Sequence, residues 1–500
     1  MNEAYINQST TFIFLTLTSL AFAAIGIFFS RNNSSIKSYL NAGRTIKRKS
    51  LTASLVASCF GVWILIGPSE AATWGGLGAI MGYSLGQAFP FLAIYFFGKR
   101  MRKIMPNGNS LTQFIFIRFG STVFKLVLFL TIFYMLVYLT AEVTAVAKVV
   151  NLLSGIPLWQ TALIILTSTL SYTLYGGLKV SIFTDKIQFI IILILLIFLI
   201  NYIFNSEINF STLEQINQKA GFLLSKNYFY GYTAGVTFFI AVFATNLFDQ
   251  GIWQRVYAAN SINDLKVGFI SAFFIVIPFI FILGFFGIIA VGSGKATDPS
   301  TIFFSLLLDP FRGSNIALSI SLLILVLVLV ISSMDTLINA ISSLITIEAP
   351  KFLKLKNNKD YLQLSKYFML ILSLFVFYTA SKGNSVLFMF LFADLLCCTA
   401  AFPIFYGLYK GDISSKATFY SILAGLIFGL SMFPDQSFQN SLIVGGLFNA
   451  KVFPAWISTA LLFWSFILAT FIPIITILIF RNKKLRFNYL ELKTIKEIKS

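Results

Sequence analysis

The chain has 500 residues, of which 57% are hydrophobic and 11% charged, and its mean hydropathy is +0.85. That leaves too few charges to cover a soluble surface, so the composition predicts a polytopic membrane protein. The sequence contains no histidine, which excludes His-based acid–base catalysis, Ser-His or Cys-His nucleophiles and His-containing zinc sites. The three cysteines, Cys59, Cys397 and Cys398, lie in apolar segments and imply no disulfide framework.

Apolar runs long enough for a hydrocarbon core of roughly 30 Å follow one another along the chain. They predict thirteen spans, numbered here 0 to 12, over residues 9–30, 51–74, 76–98, 122–150, 157–177, 184–204, 230–250, 264–292, 312–347, 364–382, 386–409, 416–433 and 455–480. The first run has a neutral, polar start and no A-x-A-like exit, so we interpret it as a mature span rather than a cleaved signal peptide.

Span 1 carries an interruption that a helix filling only lipid would not need. Within residues 53–76 the apolar run contains Ser58, Cys59, Gly61, Gly67, Pro68 and Glu70. Pro removes an amide donor and Gly weakens a helix, and freed backbone groups at membrane depth survive only where they line a buried cavity. Secondary transporters bind ions and substrates at such breaks, so the run favours a transporter. Close packing of a Gly-rich face on a neighbouring helix is the alternative.

Lysine and arginine are distributed very unequally between alternate loops. One set of loops, with the C-terminal tail, holds 29 of them and the opposite set holds 6. By the positive-inside rule the first set is cytoplasmic, which predicts a cell-membrane protein with its N-terminus outside and its C-terminus inside. Basic loops facing an anionic leaflet also account for the net charge of +19, so no nucleic-acid partner is expected.

Six acidic residues lie within the spans or at their ends, where ionisable groups are costly and often functional. They are Glu70, Glu142, Asp185, Asp249, Asp335 and Asp394. The alternative for each is a paired or interfacial structural acid, and Asp249 has Arg255 close by. No two of them have a spacing typical of two-carboxylate chemistry, and no nucleophile, metal cluster or phosphate loop indicates an enzyme.

The sharpest pattern lies in span 8, LVLVLVISSMDTLINAISSLIT. Its polar residues Ser332, Thr336, Asn339 and Ser343 recur at i, i+4, i+7 and i+11, which is one face of a helix, and Ser333 and Asp335 flank that face. Rows of hydroxyl and amide oxygens suit a hard cation such as Na⁺, because they cost less to bury than carboxylates. Interhelical hydrogen bonding by Ser and Thr is the alternative, and the spacing does not separate the two.

Four segments, in order along the chain, resemble the sodium:solute symporter family. YGGLKVSIFTDKIQF, residues 175–189, resembles the family signature of Gly-Gly, a basic residue and then Thr-Asp and Gln. YLNAGRTI, residues 39–46, is similar to its Gly-Arg loop, and SSMDTLINAISS in span 8 and ADLLCCTAAFPIFYGLY in span 10 resemble further segments. The set covers nearly the whole chain and suggests a bacterial member similar to the sodium/proline symporters.

The resemblance implies an all-α membrane fold of the leucine-transporter type, in which two five-helix units of inverted topology enclose a site at the midplane. The expected units are residues 51–204 and 230–409. The other segments are an extra helix and basic loop (1–50), an extracellular loop (205–229), two C-terminal helices (410–480) and a basic cytoplasmic tail (481–500).

The resemblance also implies a sodium site between spans 1 and 8. By position its ligands are the carbonyls of Ala57, Phe60 and Leu329 and the hydroxyls of Ser332 and Ser333. Asp185, from the Thr-Asp signature, then lies on the exit path of the ion. Some members have an Asp where this chain has Cys59, and NLFDQGIWQRVYAA in span 6 lacks the His of the proline carriers, so the substrate stays open. The expected substrate contacts are Trp63, Phe243, Thr245 and Asn246.

Together these features predict Na⁺-coupled symport of a small polar organic solute, such as an amino acid or a carboxylate, across the lipid bilayer by alternating access. Na⁺ is the expected coupling ion, and no enzymatic activity is expected. A membrane sensor that keeps the transporter fold is the alternative. It is disfavoured because the tail after Arg481 has only about twenty residues, too few for a kinase or receiver domain. No oligomeric state is predicted.

Overall fold

The computed structural model describes residues 5–30, 35–207, 214–295, 301–308, 316–355, 357–438, 440–444, 457 and 459–495. Within these ranges the regular secondary structure is helical, with two isolated β-bridges and no strand. The α-helices of six or more residues are α1 (Gln8–Ser30), α2 (Ile36–Asn41), α3 (Arg48–Cys59), α4 (Trp63–Ile104), α5 (Leu111–Ser154), α6 (Leu158–Glu207), α7 (Phe229–Phe248), α8 (Gln250–Ala258), α9 (Ile262–Gly292), α10 (Ile302–Leu307), α11 (Ile316–Glu348), α12 (Asn358–Ala380), α13 (Val386–Tyr409), α14 (Ser415–Met432) and α15 (Leu461–Phe480).

Eleven helices in the described part of the chain are long and apolar enough to cross a membrane. Three of them are interrupted by glycines with positive φ: α4 at Gly76 (φ 53°), α5 at Gly120 (φ 77°) and α6 at Gly177 (φ 59°). Only glycine adopts this conformation readily. Gly76 lies at the boundary of predicted spans 1 and 2, Gly177 at the end of span 4, and Gly120 just before span 3. The count of thirteen is therefore not confirmed as a number of continuous helices, since it requires dividing α4 and α6 at Gly76 and Gly177.

The predicted interruption of span 1 is present as a gap between two helices. α3 ends at Cys59 and α4 begins at Trp63. The Ile64 amide donates to the Gly61 carbonyl at 3.3 Å instead of continuing the α-helical ladder to the Phe60 carbonyl. Three residues of the sequence pattern lie downstream, within the helix α4: Gly67, Pro68 and Glu70.

Span 6 is also broken, a feature that its sequence pattern does not indicate. α7 ends at Phe248 and α8 begins at Gln250, with Asp249 between them in an extended conformation (ψ 109°). The Asp249 side chain caps α8, because its Oδ1 accepts a hydrogen bond from the Ile252 amide at 3.0 Å. All nine residues of α8 are buried. Asp249 thus lies at the end of the apolar helix α7, as expected, and this end is a break inside the protein.

Two of the segments that resemble the family pack against each other. Tyr39 of α2 is buried, and a Cβ at Gly177 would collide with it. The Tyr39 hydroxyl is also 2.8 Å from the Ser342 hydroxyl of α11. Burial raises the pKa of Tyr39 to about 12, so the side chain stays neutral at physiological pH. These contacts hold the loop after α1 against the end of span 4 and against span 8.

Helices α4 and α7 pack backbone to backbone. Gly78 and Gly82 of α4 lie so close to the carbonyls of Gly231 and Gly235 of α7 that a Cβ at either α4 position would collide. Small residues four apart allow helices to approach in this way inside a membrane. The most enclosed long helices are α11 and α13, each with 72% of its most apolar window buried, against 28% for α1. The two broken spans and α11 therefore surround one interior region.

Candidate functional site

A small cavity lies at the centre of the helix bundle, beside the break between α3 and α4. Its walls come from α3, α4, α5, α7, α11 and α13, and its volume is about 50 Å³. Sixteen side chains line it. Three of the predicted substrate contacts, Trp63, Thr245 and Asn246, are among them, as is the predicted sodium ligand Ser333.

Glu142 of α5 reaches into the break of span 1. Its Oε2 accepts hydrogen bonds from the Val62 amide at 2.9 Å and from the Ser333 hydroxyl at 3.1 Å. A carboxylate is favoured at this point because the first amides of α4 carry the partial positive charge of a helix N-terminus. A Cβ at Gly61 would collide with the carboxylate, so the close approach requires glycine. One oxygen atom therefore connects the break of span 1 to span 8.

The five predicted sodium ligands are all buried, and the helices that carry them, α3 and α11, are in contact. Ala57 and Phe60 lie at the broken end of α3, while Leu329, Ser332 and Ser333 lie in the middle of α11. The structure thus brings the two halves of the predicted site to the same interior region. Their role in binding Na⁺ stays a prediction.

Asp185 and Arg255 form an ion pair inside the protein, with 2.9 Å between Oδ2 and Nη2 and neither side chain exposed. Ser54 donates to Asp185 Oδ2 at 2.6 Å, and Ser332 donates to Oδ1 at 2.9 Å. Arg255 also donates to the Thr336 hydroxyl at 3.0 Å. Such hydrogen bonds are needed because a buried ion pair repays its desolvation only when its remaining polar atoms are satisfied. The cluster ties spans 1, 5, 6 and 8 together.

The partner of Arg255 differs from the one that sequence proximity suggests. Asp249 lies six residues before it and caps α8. The two side chains lie near each other, because a Cβ at Gly251 would be 2.9 Å from Asp249 Oδ1 and 3.4 Å from Arg255 Nη1, but they make no ion pair with each other. Asp249 lines the central cavity, and Arg255 donates hydrogen bonds to Asp185 and to Thr336.

Three of the other acidic residues of the spans do not line the cavity. Asp335 is fully buried and accepts hydrogen bonds from Ser181, from Thr184 at 3.2 Å and from Tyr172 at 3.2 Å, all on α6. These contacts are those of a structural acid that joins spans 4, 5 and 8. Asp394 accepts hydrogen bonds at Oδ1 from two residues that do line the cavity, Tyr138 and Thr245, each at 2.7 Å. Glu70 is half-buried on α4.

Besides Thr245, two more of the predicted substrate contacts make hydrogen bonds at the cavity wall. The indole N–H of Trp63 donates to the Cys59 carbonyl at 3.1 Å and so bridges the break of span 1. The Asn246 amide exchanges hydrogen bonds with Gln87 at 3.1 and 3.3 Å. These contacts join span 6 to span 2 and orient both amides beside the cavity.

Phe243, the fourth predicted substrate contact, does not line the cavity. It is half-buried and stacks on Phe239, with 5.7 Å between ring centroids. Several aromatic lining residues were missed, among them Tyr134 and Tyr138. Together with Glu142 they recur at i, i+4 and i+8 on one face of α5. That spacing was the available signal, since aromatic and acidic residues sharing a helix face predict a polar wall.

The polar face of span 8 makes the interhelical hydrogen bonds that its alternative interpretation requires. Ser332 donates to Asp185, Thr336 accepts from Arg255, and Asn339 donates to Gln254 of α8 at 3.3 Å. Ser343 donates to a carbonyl of its own helix, that of Ala340, at 2.9 Å. Ser333, which flanks this face, is the serine that reaches the cavity. The polar face of span 8 therefore has a role in helix packing, and this role does not depend on ion binding.

Comparison with solved structures gives the same architecture. A Na⁺-coupled sialic acid symporter, in a substrate-bound outward-open state, superposes with a TM-score of 0.71 at 15% sequence identity, covering 95% of this chain and 99% of the symporter. The fold is accordingly the all-α membrane fold of the leucine-transporter type, as predicted.

Sequence comparison gives more distant but consistent relatives. The spermidine transporter DUR31 of Candida albicans is 28% identical over 271 residues, covering 54% of this chain and 51% of the relative. A sodium/glucose cotransporter of Vibrio parahaemolyticus is 28% identical over 286 residues, with coverage of 52% and 51%. Sodium/glucose cotransporter 4 of Danio rerio is 22% identical over 464 residues, with coverage of 81% and 69%. The matches thus span about half the length of the first two relatives.

The family model agrees with the resemblance drawn from the motifs. The model described as the sodium:solute symporter family matches residues 39–429, which include the segments at 39–46 and 175–189 and those in spans 8 and 10. The similarity to the proline symporters as a subtype is not confirmed by these relatives. With most of its length matched, the chain belongs to the sodium:solute symporter family.

Proposed function

We propose that the protein is a secondary active transporter that couples the inward movement of Na⁺ to the uptake of a small polar organic solute by alternating access. The observation that carries this proposal is the link between the break of span 1 and Ser333 through Oε2 of Glu142, beside a central cavity. Broken helices at the midplane supply carbonyl ligands to coupling ions in this class of fold. Membership of the sodium:solute symporter family supports Na⁺ as the ion.

Sodium is bound, in this proposal, between the carbonyls of Ala57, Phe60 and Leu329 and the hydroxyls of Ser332 and Ser333. Its exit path toward the cytoplasm leads past Asp185. In the described conformation Asp185 is paired with Arg255, and the pair crosses from span 5 to span 6. Release to the cytoplasm therefore requires these spans to separate, which exposes both charges to water and lowers the cost of parting them.

We further propose a location in the cell membrane, with the N-terminus outside and the C-terminus in the cytoplasm. The inverted units are residues 51–204 and 230–409, flanked by segments 1–50, 205–229, 410–480 and 481–500. The distribution of Lys and Arg supports this orientation. The partners are the lipid bilayer and a small-molecule solute, with no nucleic acid.

The names of the relatives leave the solute open within one broad class. Spermidine, glucose and sialic acid differ in charge and size, yet all are small polar organic molecules. We therefore propose a solute of that class. Its charge is decided by the side chains of the cavity wall.

Uptake into proteoliposomes tests the coupling. With purified full-length protein and a panel of labelled solutes, uptake should require an inward Na⁺ gradient. An interior-negative potential should increase it, because moving one charge through 100 mV contributes about 2.3 kcal/mol. Uptake that continues unchanged without Na⁺, but collapses with the proton gradient, would show that the coupling ion is wrong.

A further inference from the structure

The wall of the central cavity has an unbalanced charge. Among its sixteen described lining residues are two carboxylic acids, Glu142 and Asp249, and no lysine or arginine. A third acid, Asp394, lies directly behind the wall, where it accepts hydrogen bonds from Tyr138 and Thr245. Arg255 lies near Asp249, since both side chains approach the position of a Cβ at Gly251, but it forms its ion pair with Asp185 and is not part of the wall. An anionic solute would meet carboxylates with no basic side chain in the wall to compensate.

Two polar groups of the wall have no hydrogen-bond partner among the described residues. They are Oε1 of Glu142 and the hydroxyl of Tyr134. Each side chain is only 1% exposed, so water at the protein surface does not satisfy them. Both side chains line the cavity. Unpaired buried polar atoms are costly, and a ligand that donates hydrogen bonds to them recovers that cost.

Part of the wall is aromatic. Five of the sixteen lining residues carry rings, which form two groups on different helices. Trp63 stacks on Tyr83, with centroids 5.6 Å apart. Tyr138 packs edge to face against Tyr134 at 5.8 Å and against Phe390 at 4.5 Å. Aromatic faces attract organic cations. A bare metal ion would instead need oxygen ligands on every side.

The size of the cavity narrows the kind of cation. A cavity needs a volume of about 10–15 Å³ to hold one water molecule. The central cavity has a volume of about 50 Å³, so it can hold only a few groups of the size of water. A primary ammonium group is of that size, and it has three N–H donors to direct at carboxylate and hydroxyl acceptors. A quaternary ammonium is larger and donates no hydrogen bond, so it would leave Glu142 Oε1 and the Tyr134 hydroxyl unpaired.

We propose that the solute is an organic cation whose primary ammonium group binds in this cavity, against Glu142 Oε1, the Tyr134 hydroxyl and Asp249, between the two aromatic groups. This inference rests on the proposed transport function, because it names the substrate class of that same cavity. It assigns Glu142 two tasks. Oε2 caps the second half of span 1, and Oε1 binds the solute.

Binding of a matched pair of probes to the full-length protein in nanodiscs tests the proposal. The probes are 1,4-diaminobutane and the neutral 1,4-butanediol, which has the same chain length, each measured with and without Na⁺. The diamine should bind at least about tenfold more tightly than the diol, since one charge-assisted hydrogen bond corresponds to that factor. Equal binding of the two probes, or binding of neither, would overturn the proposal.

Three variants locate the binding. Glu142→Gln should weaken diamine binding at least about tenfold. Glu348→Gln is the matched control, because Glu348 is an equally buried acid that bonds to Ser110 and Thr112 and pairs with Lys351 outside the cavity. It should bind as the wild type does. Tyr134→Phe removes only an unpaired hydroxyl, so it should fold normally and weaken diamine binding about two- to tenfold. Equal effects of Glu142→Gln and Glu348→Gln, or no effect of Tyr134→Phe, contradict the proposed site.

Different results would contradict the amine substrate and the Na⁺-coupled transport function. Na⁺-driven uptake of a neutral solute, with no binding of the diamine, would overturn the inference and leave the transport function intact. Diamine binding without Na⁺-driven uptake would support the substrate class and contradict the coupling. A Glu142→Gln variant that changes only the Na⁺ concentration for half-maximal uptake, with diamine binding unchanged, would assign the carboxylate to the ion and reject the amine site.

Discussion

Replacing Ser333 by alanine tests directly whether its hydroxyl is a sodium ligand. That hydroxyl is 3.1 Å from Glu142 Oε2 and 3.2 Å from the Val330 carbonyl. After its removal Glu142 still accepts a hydrogen bond from the Val62 amide, so the helix cap is retained. We therefore expect a cost in folding free energy of only about 1 kcal/mol, that of one ordinary hydrogen bond.

The effect on sodium should be larger than the effect on folding. Loss of one ligand should cost at least about 1.4 kcal/mol of binding free energy, which is tenfold in affinity. Ser332→Ala is a less clean test, because Ser332 also donates to Asp185 of the buried ion pair. A hydrogen bond to a charged group contributes about 1.5–3 kcal/mol, so that variant should lose both stability and sodium affinity.

The assay is the Na⁺ concentration that gives half-maximal solute uptake into proteoliposomes. It should rise about tenfold for Ser333→Ala and stay near the wild-type value for Ser333→Thr, which keeps a hydroxyl. Ser343→Ala is the matched control, since Ser343 is fully buried on the same helix, donates only within that helix and lies about 15 Å further along it. If Ser333→Ala and Ser343→Ala lower expression alike and neither changes the sodium dependence, the serines serve packing and the site is misplaced.

Three further predictions concern the framework around the site. Arg255→Met should lower the free energy of unfolding by about 3–5 kcal/mol, because it leaves Asp185 buried without its partner. Adding Asp185→Leu should restore part of the thermal stability of the purified protein. Strictly additive losses of stability in the double variant would contradict the pairing. Gly82→Ala should destabilise by about 1–3 kcal/mol through collision with the Gly235 carbonyl, whereas Gly221→Ala, whose Cβ would have 4.0 Å to its nearest neighbour, should be nearly neutral in the same melting assay. Cysteines introduced at Ser35 or Asn358 should react with an impermeant reagent only from the cytoplasmic side and one at Ser225 only from outside; labelling from the opposite faces would invert the proposed topology.

The spans, the break of span 1 and the family could be read from the sequence, because each depends on composition or local backbone chemistry. An apolar run of about twenty residues has few structural solutions in a membrane. Glycines near the middle of span 1 gave the position of its break to within a few residues. Pro68 does not mark the position of the break, because it lies inside α4 rather than in the gap between α3 and α4. A helix in a membrane tolerates Pro where neighbouring groups satisfy the freed carbonyl.

The pairing of side chains between spans could not be predicted in the same way. Asp249 and Arg255 are close in sequence, but Asp249 caps α8 and lines the cavity, whereas Arg255 of the same helix forms an ion pair with Asp185. Asp185 is 70 residues from Arg255 and meets it only after the spans have packed. The cavity wall also forms only after the spans have packed, since its residues Gln87, Tyr138 and Asn246 come from three different spans. Only the spacing of Tyr134, Tyr138 and Glu142 along α5 was a local signal.

The glycine contacts between α4 and α7 have a mechanical consequence. Where helices touch through long side chains, changes of rotamer let one slide past the other. Where a Cα of one rests on a carbonyl of the other, at Gly78 and again at Gly82, there is no soft layer to deform. We therefore expect α7 and the part of α4 after Gly76 to move as one rigid unit. Bending is then expected at the two joints that flank this unit, Gly76 and Asp249, and Asp249 also lines the cavity.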